Sequence, residues 1–302
     1  MMWQGRTVKA LGIAAVAGML SAPAMVNAQE EAPAVNAGKV SVTLGVDWVT
    51  QYFFRGINQN NNGIIIQPYA DLGFLLWEGD GPINSVSANI GLWGSFVDNH
   101  SPSALFGTPN TFQELDLYAG VSVGFLDDFK LSVVYQNYKY PDLGGRTQTQ
   151  ELILKLAYDD SELMGPFTMN PYVLYAVEID DTVGAGNAIA GDEGQYAELG
   201  IAPSMTIFES EDYPITLTLP MAAGFSIDGY YVDNTFGDNE LWGFVSVGAM
   251  FSTPLSFIPA DYGSWTLTAG PQVLFLNGDA NNGMVNGSDV VFLAKMGISM
   301  AY

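Results

Sequence analysis

Seven carboxylates and four cations sit inside stretches of alternating apolar and polar residues, and they are the side chains best placed to do chemistry. They are Asp47, Asp71, Glu114, Asp116, Glu151, Glu178 and Glu198, set against Arg55, Lys130, Lys155 and Lys295. Each falls on the opposite parity from the apolar residues of its own stretch. In a strand, parity decides the side, so these charges share a face turned away from the apolar one. Rings of carboxylates inside a tube favour the passage of cations. The same charges could instead bridge one another and close a small barrel. Arg55, followed by Gly56, is expected to pair with Glu114 or Asp116, which would fix the wall and narrow its mouth.

Catalysis has little to work with. The single histidine, His100, lies in Asp-Asn-His-Ser-Pro between two alternating stretches. Ser101 and Ser103 are its neighbours in sequence, without the strand–turn–helix elbow that presents a nucleophile. There is no phosphate-cradling glycine loop, no HExxH pair and no cysteine. Asp279-Ala-Asn-Asn-Gly283 resembles part of a calcium loop but lacks its third acidic position and distal glutamate. No enzyme activity and no cofactor are therefore expected.

The elements that must position the charges are strands. Phe292, Ala294, Met296, Ile298, Met300 and Tyr302 share one parity, while Leu293, Lys295, Gly297, Ser299 and Ala301 share the other. One face suits lipid, the other suits a lumen, and a terminal ring suits the interface. Phe292, Met296, Ile298, Met300 and Tyr302 look like the C-terminal assembly signal of outer-membrane barrels. Alternation predicts a first strand over 40–55. Others are expected near 64–77, 85–97, 112–126, 129–139, 148–158, 166–179, 195–208, 213–227, 240–252, 264–276 and 289–302. That makes about twelve antiparallel strands and no convincing helix, an all-β up-and-down transmembrane barrel. Alternate connections are long and short, as outer loops and inner turns are in such barrels, with 253–263 a long exception. Pro68, Pro171, Pro203, Pro220 and Pro271 fall within proposed strands and are expected at rims or bulges.

The chain ends and the composition point the same way. Arg6 and Lys9 precede an apolar run, 11–20, and a small-x-small site at Val26-Asn27-Ala28. This reads as a signal peptide over 1–28, a short periplasmic tail over 29–38 and a barrel over 39–302. No later segment approaches about 18 uninterrupted apolar residues, the length a spanning helix needs. Seven basic residues face 32 acidic ones after residue 28, which excludes a nucleic-acid footprint. Only 14% of residues are charged, few for a soluble domain.

Tyr52-Phe-Phe-Arg-Gly-Ile-Asn-Gln59 and Gln67-Pro-Tyr-Ala70 resemble the opening of the TorF-type putative porin family, as do Glu114-Leu-Asp-Leu-Tyr-Ala-Gly120 and Leu131-Ser-Val-Val-Tyr-Gln-Asn-Tyr138 its next block. Asn58 stands where that family has a hydroxyl residue, and the likeness covers mainly 40–160. It implies an outer-membrane barrel with a presumed pore and supplies no substrate or catalytic residue.

The expectation is a narrow porin-like channel in the bacterial outer membrane, passing small polar or cationic solutes by diffusion. Its lining would be Asp47, Arg55, Asp71, Glu114, Asp116, Glu151, Lys155, Glu178, Glu198 and Lys295. Its partners would be outer-membrane lipid, lipopolysaccharide and the barrel-assembly machinery. A closed structural or adhesion barrel is the alternative, and a loop-site lipid hydrolase a third.

Overall fold

A computed structural model describes residues 38–98, 111–141, 148–165, 167–181, 193–232, 238–279 and 288–302. Ten strands come first: β1 (Val40–Val49), β2 (Tyr52–Phe54), β3 (Ile57–Asn60), β4 (Ile65–Glu78), β5 (Ile83–Val97), β6 (Phe112–Phe125), β7 (Phe129–Lys139), β8 (Gln148–Tyr158), β9 (Tyr172–Asp181) and β10 (Gln195–Ile201). Seven more follow: β11 (Ser204–Phe208), β12 (Ile215–Thr218), β13 (Met221–Asp228), β14 (Trp242–Gly248), β15 (Met250–Pro254), β16 (Ser264–Leu276) and β17 (Val290–Ala301). Three walls are split into collinear pairs, β10 with β11, β12 with β13, and β14 with β15. With β1, β4 to β9, β16 and β17 they make a closed antiparallel barrel of twelve walls.

Closure is explicit in the ladder. β1 pairs with β4 on one side and with β17 on the other, and β17 also pairs with β16. The last residue completes the seal: Val42 and Tyr302 exchange two backbone bonds of 2.9 Å each. A sheet closed on itself has no edge strand and leaves no backbone row unpaired. The helices described end to end are one turn at Ser161–Met164 and a 3-10 turn at Ala260–Tyr262. No described helix is long and apolar enough to cross a membrane.

The alternation sorts as expected. Leu44, Val46 and Trp48 are exposed on the outside of β1, and Ile90, Leu117, Val121, Val247 and Phe275 do the same on other walls. The inward face carries Gln67, Asp71, Asn89, Asp116, Ser122, Gln136, Glu151, Ser246 and Thr268, all buried. A globular protein would put these two sets the other way round. Three inward tyrosines lie flat over the glycine paired with them on the neighbouring wall: Tyr69 over Gly45, Tyr118 over Gly91 and Tyr172 over Gly200. A Cβ on any of these glycines would fall 2.2–2.3 Å from the ring.

Two expectations about strands are corrected. The first strand does not run from 40 to 55. It ends at Val49, and the chain turns into the barrel to form β2 and β3, a hairpin that pairs with itself and joins no wall strand in a ladder. The stretch expected over 166–179 begins only at Tyr172.

The prolines are corrected in part. Pro171 precedes β9, while Pro203 and Pro220 fall at the breaks in split walls, as rims and bulges predict. Pro68 and Pro271 instead lie inside β4 and β16. The barrel accepts Pro271 by interrupting the adjoining wall between β14 and β15. In a narrow antiparallel pair each residue donates and accepts once. Here Tyr158, Leu219, Gly248 and Ala249 donate to Pro171, Pro203, Pro220 and Pro271 respectively at 2.8–3.0 Å. Proline has no N–H, so no bond returns. The gaps fall at four of the five wall junctions between β8 and β16; at the fifth, between β9 and the β10–β11 wall, Ala202 donates to Met169 and Ser204 to Thr168.

Candidate functional site

The hairpin built from Tyr52-Phe-Phe-Arg-Gly-Ile57 is the centre of the site. Phe54 pairs with Ile57, leaving Arg55 and Gly56 as a two-residue turn, with φ of 48° and 79°. Both values are left-handed, as a type I′ turn requires, and glycine meets that need without cost. Gly56 is fixed twice over, since a Cβ there would lie 2.7 Å from Phe244. Arg55 carries the strain of a left-handed non-glycine residue, about 1–2 kcal/mol. Such strain persists only where the surroundings over-determine it.

Those surroundings are specific. The Arg55 guanidinium grips Glu151 with both nitrogens, Nη1 to Oε1 at 2.6 Å and Nη2 to Oε2 at 2.9 Å. Nη1 also donates to the Tyr230 hydroxyl at 3.2 Å. The guanidinium carbon stands 4.2 Å from the centre of the Tyr196 ring and 4.8 Å from that of Phe54. Tyr138 donates to Glu151 Oε2 at 2.8 Å, which orients the carboxylate. Tyr231 donates to the Arg55 carbonyl at 2.8 Å. The Tyr230 phenol, beyond the end of β13, is pushed up by burial while Arg55 pulls it down, and it stays a neutral hydroxyl.

The rest of the hairpin is anchored around the ring of walls. Tyr52 packs on Trp93 of β5 and donates to Glu114 Oε2 of β6 at 2.8 Å. Phe54 packs on Tyr138 of β7. Gln113 of β6 donates to the Gln59 carbonyl of β3 at 2.8 Å. Tyr52, Phe53 and Phe54 are all buried, and Glu151 has no exposed surface. The hairpin therefore stands across the lumen, at the end of the barrel that carries the long connections.

The expected pairing of Arg55 with Glu114 or Asp116 is thus replaced by Glu151. The reason is the inward turn, which carries Arg55 off the first wall and across the interior to β8. Glu114 is brought to the same hairpin through Tyr52. Asp116, one step down β6, accepts from Gln136 Nε2 at 3.1 Å. Glu178 accepts the Gly194 N–H at 2.6 Å. Asp71 accepts from Asn89 at 2.7 Å.

A second group lies further from the long-loop end. Lys155 Nζ sits 4.1 Å over the Tyr172 ring, and Tyr172 donates to Glu198 Oε1 at 2.6 Å. Tyr196 donates to the other Glu198 oxygen, which links this group to the hairpin site. Asp47 and Lys295 pair at 2.6 Å across β1 and β17, away from both groups. Lys130 is half-buried on β7. On β17, Phe292, Met296 and Ile298 face outward and exposed, Met300 is half-buried, and Tyr302 is exposed just beyond the strand.

Sequence reasoning missed Tyr138, Tyr196, Tyr230, Tyr231 and Phe244. A signal existed for two of them. Tyr138 and Tyr196 lie two residues from the inward Gln136 and Glu198, so parity alone turns them into the lumen. His100, Ser101 and Ser103 lie outside the described residues, as do the residues from Ala280 to Gly283. Among the described residues, no group of three or more acidic or histidine side chains could hold a metal ion.

Comparisons follow from this geometry. No curated protein matches the chain. Among solved structures, the β domain of the Bordetella autotransporter BrkA is 12% identical, over 88% of this chain and 99% of that one, with a TM-score of 0.44. The COG4313 outer membrane channel from Pseudomonas putida F1 is 10% identical, over 87% and 94%, also at 0.44. The NanC porin is 10% identical, over 86% and 98%, at 0.41. A family model described as "Bacterial protein of unknown function (Gcw_chp)" matches residues 33–252, from ahead of β1 into β15 and so across the whole hairpin site. The chain belongs to the Gcw_chp family of bacterial proteins.

Proposed function

We propose that this protein is an outer-membrane channel for small polar or cationic solutes, closed in the present state by the β2–β3 hairpin. The observation that carries this reading is the kind of closure. A charged interior is blocked by one inserted hairpin whose tip is tied to the wall by a single ion pair, Arg55–Glu151, among the described residues. A barrel meant only as a scaffold can fill its interior with side chains from its own walls. Here a separate element does the filling, and carboxylates line the space it occupies. The ten charged residues from Asp47 to Lys295 named above would line the route, with diffusion past the carboxylates favouring cations.

The same reading takes the outward apolar band as the lipid face of the bacterial outer membrane, with lipopolysaccharide outside. It takes residues 1–28 as an export signal and the β17 residues Phe292 to Tyr302 as the segment read by the assembly machinery. The TorF-type porin likeness belongs to this proposal, and no catalytic role is part of it.

A second reading is a permanently closed structural barrel. It is favoured by burial of the lumen side chains, with Asp116, Gln136 and Glu151 all at 0% exposure. Planar-bilayer recordings decide between them. Arg55→Gly keeps a turn suited to two left-handed residues while removing the ion pair. In the channel reading this variant conducts far more often than wild type and its reversal potential is cation-selective. Silence from both proteins, each shown to be folded, would leave only the structural barrel.

A further inference from the structure

We propose that the pocket holding Arg55 is a recognition site for guanidinium-bearing solutes, in which Arg55 is a tethered stand-in for the free ligand. The proposal rests on the channel reading for its role in transport, but binding itself does not.

The pocket has the shape of a guanidinium rather than of a generic cation. A planar fork needs two coplanar acceptors, and Glu151 offers both carboxylate oxygens, at 2.6 and 2.9 Å. Tyr138 holds that carboxylate in place by donating to Oε2. A planar cation also stacks on aromatic faces, and the Tyr196 ring lies at 4.2 Å. The Tyr230 hydroxyl takes a further N–H from the edge. An ammonium is a compact point charge that cannot use the paired acceptors and the ring face together. These recognising groups come from β7, β8, β10 and the segment after β13. The hairpin supplies only the occupant and the flanking Phe54. Withdrawing the hairpin would leave the recognition groups standing on three walls and on the segment after β13.

The occupant is also held in an unusual way. Arg55 takes a left-handed conformation to reach the pocket. A free solute needs no such backbone strain, although the tether gives Arg55 a high local concentration. Guanidinium-bearing solutes would thus be the cations best able to replace the tip and release the hairpin.

The test is chemical rescue of full-length Arg55→Gly in detergent. Methylguanidinium chloride at millimolar concentration is expected to bind at least about tenfold more tightly than methylammonium chloride, followed by calorimetry and by the upward shift in unfolding temperature. Adding Glu151→Gln to Arg55→Gly should abolish that preference. Equal affinity for the two cations, or a preference that survives the loss of Glu151, overturns the proposal. If Arg55→Gly does not refold alone, refolding becomes the readout. Methylguanidinium should then restore the compact, heat-modifiable gel band where methylammonium does not, and rescue by both or by neither overturns it. Binding without conduction in bilayers would sink the channel reading while leaving the site intact.

Discussion

Arg55 is the residue on which the interior is organised. Its charge is buried, and burial of a charge is tolerated only with a paired and hydrogen-bonded partner. Glu151→Gln keeps the shape and removes the countercharge, so it should cost about 3–5 kcal/mol, as breaking a buried pair does. The urea midpoint of the refolded protein measures this. A loss below about 1 kcal/mol would mean that the pair behaves like an exposed one. Combined with Arg55→Gly, the loss should fall well short of the sum, because each change alone leaves the other charge stranded. Arg55 itself was legible as an inward charge, and its partner was not. Position 151 is 96 residues away, and alternation says which side a residue takes but not which wall it faces; only the fold brings β8 opposite the turn.

At the scale of elements, the walls were legible because each has two unlike faces. Alternation from β4 through β17 follows directly from an exposed apolar side and a buried polar one. The hairpin escaped notice for the same reason. Tyr52 and Phe54 continue the parity of Trp48, so the pattern runs on while the chain has already left the wall. The one local sign was Arg55-Gly56 between an aromatic residue and isoleucine, a turn signal overruled by periodicity. The paired tyrosines and glycines give an element-level prediction. Gly91→Ala places a methyl group in the Tyr118 ring and should destabilise the β5–β6 pair by about 1–3 kcal/mol, the usual range for overpacking. An exposed glycine such as Gly81, where a Cβ would meet only the Ile83 carbonyl at an ordinary 3.7 Å, is the control, and equal effects of the two substitutions on the thermal gel shift would refute the packing argument.

For the whole molecule, the outward band defines where the barrel can live. Leu117 and Val121 sit near the middle of β6 on the outside, where a lysine should cost about 2–4 kcal/mol in a bilayer. Leu117→Lys is therefore expected to lower the yield folded into phospholipid vesicles sharply. The same change should matter little in a detergent that lets the side chain reach water, and an equal loss in both would argue against a lipid-facing band. The proline steps across β8 to β16 have a consequence of their own. A hoop that lacks rungs at four of five neighbouring junctions creases there. Squeezed by a thinner bilayer, or pushed from within, its outline would go oval about that crease instead of widening evenly. The panels bearing Tyr196 and Phe244 would swing, while the panels joined by Asp47 and Lys295 would hold still.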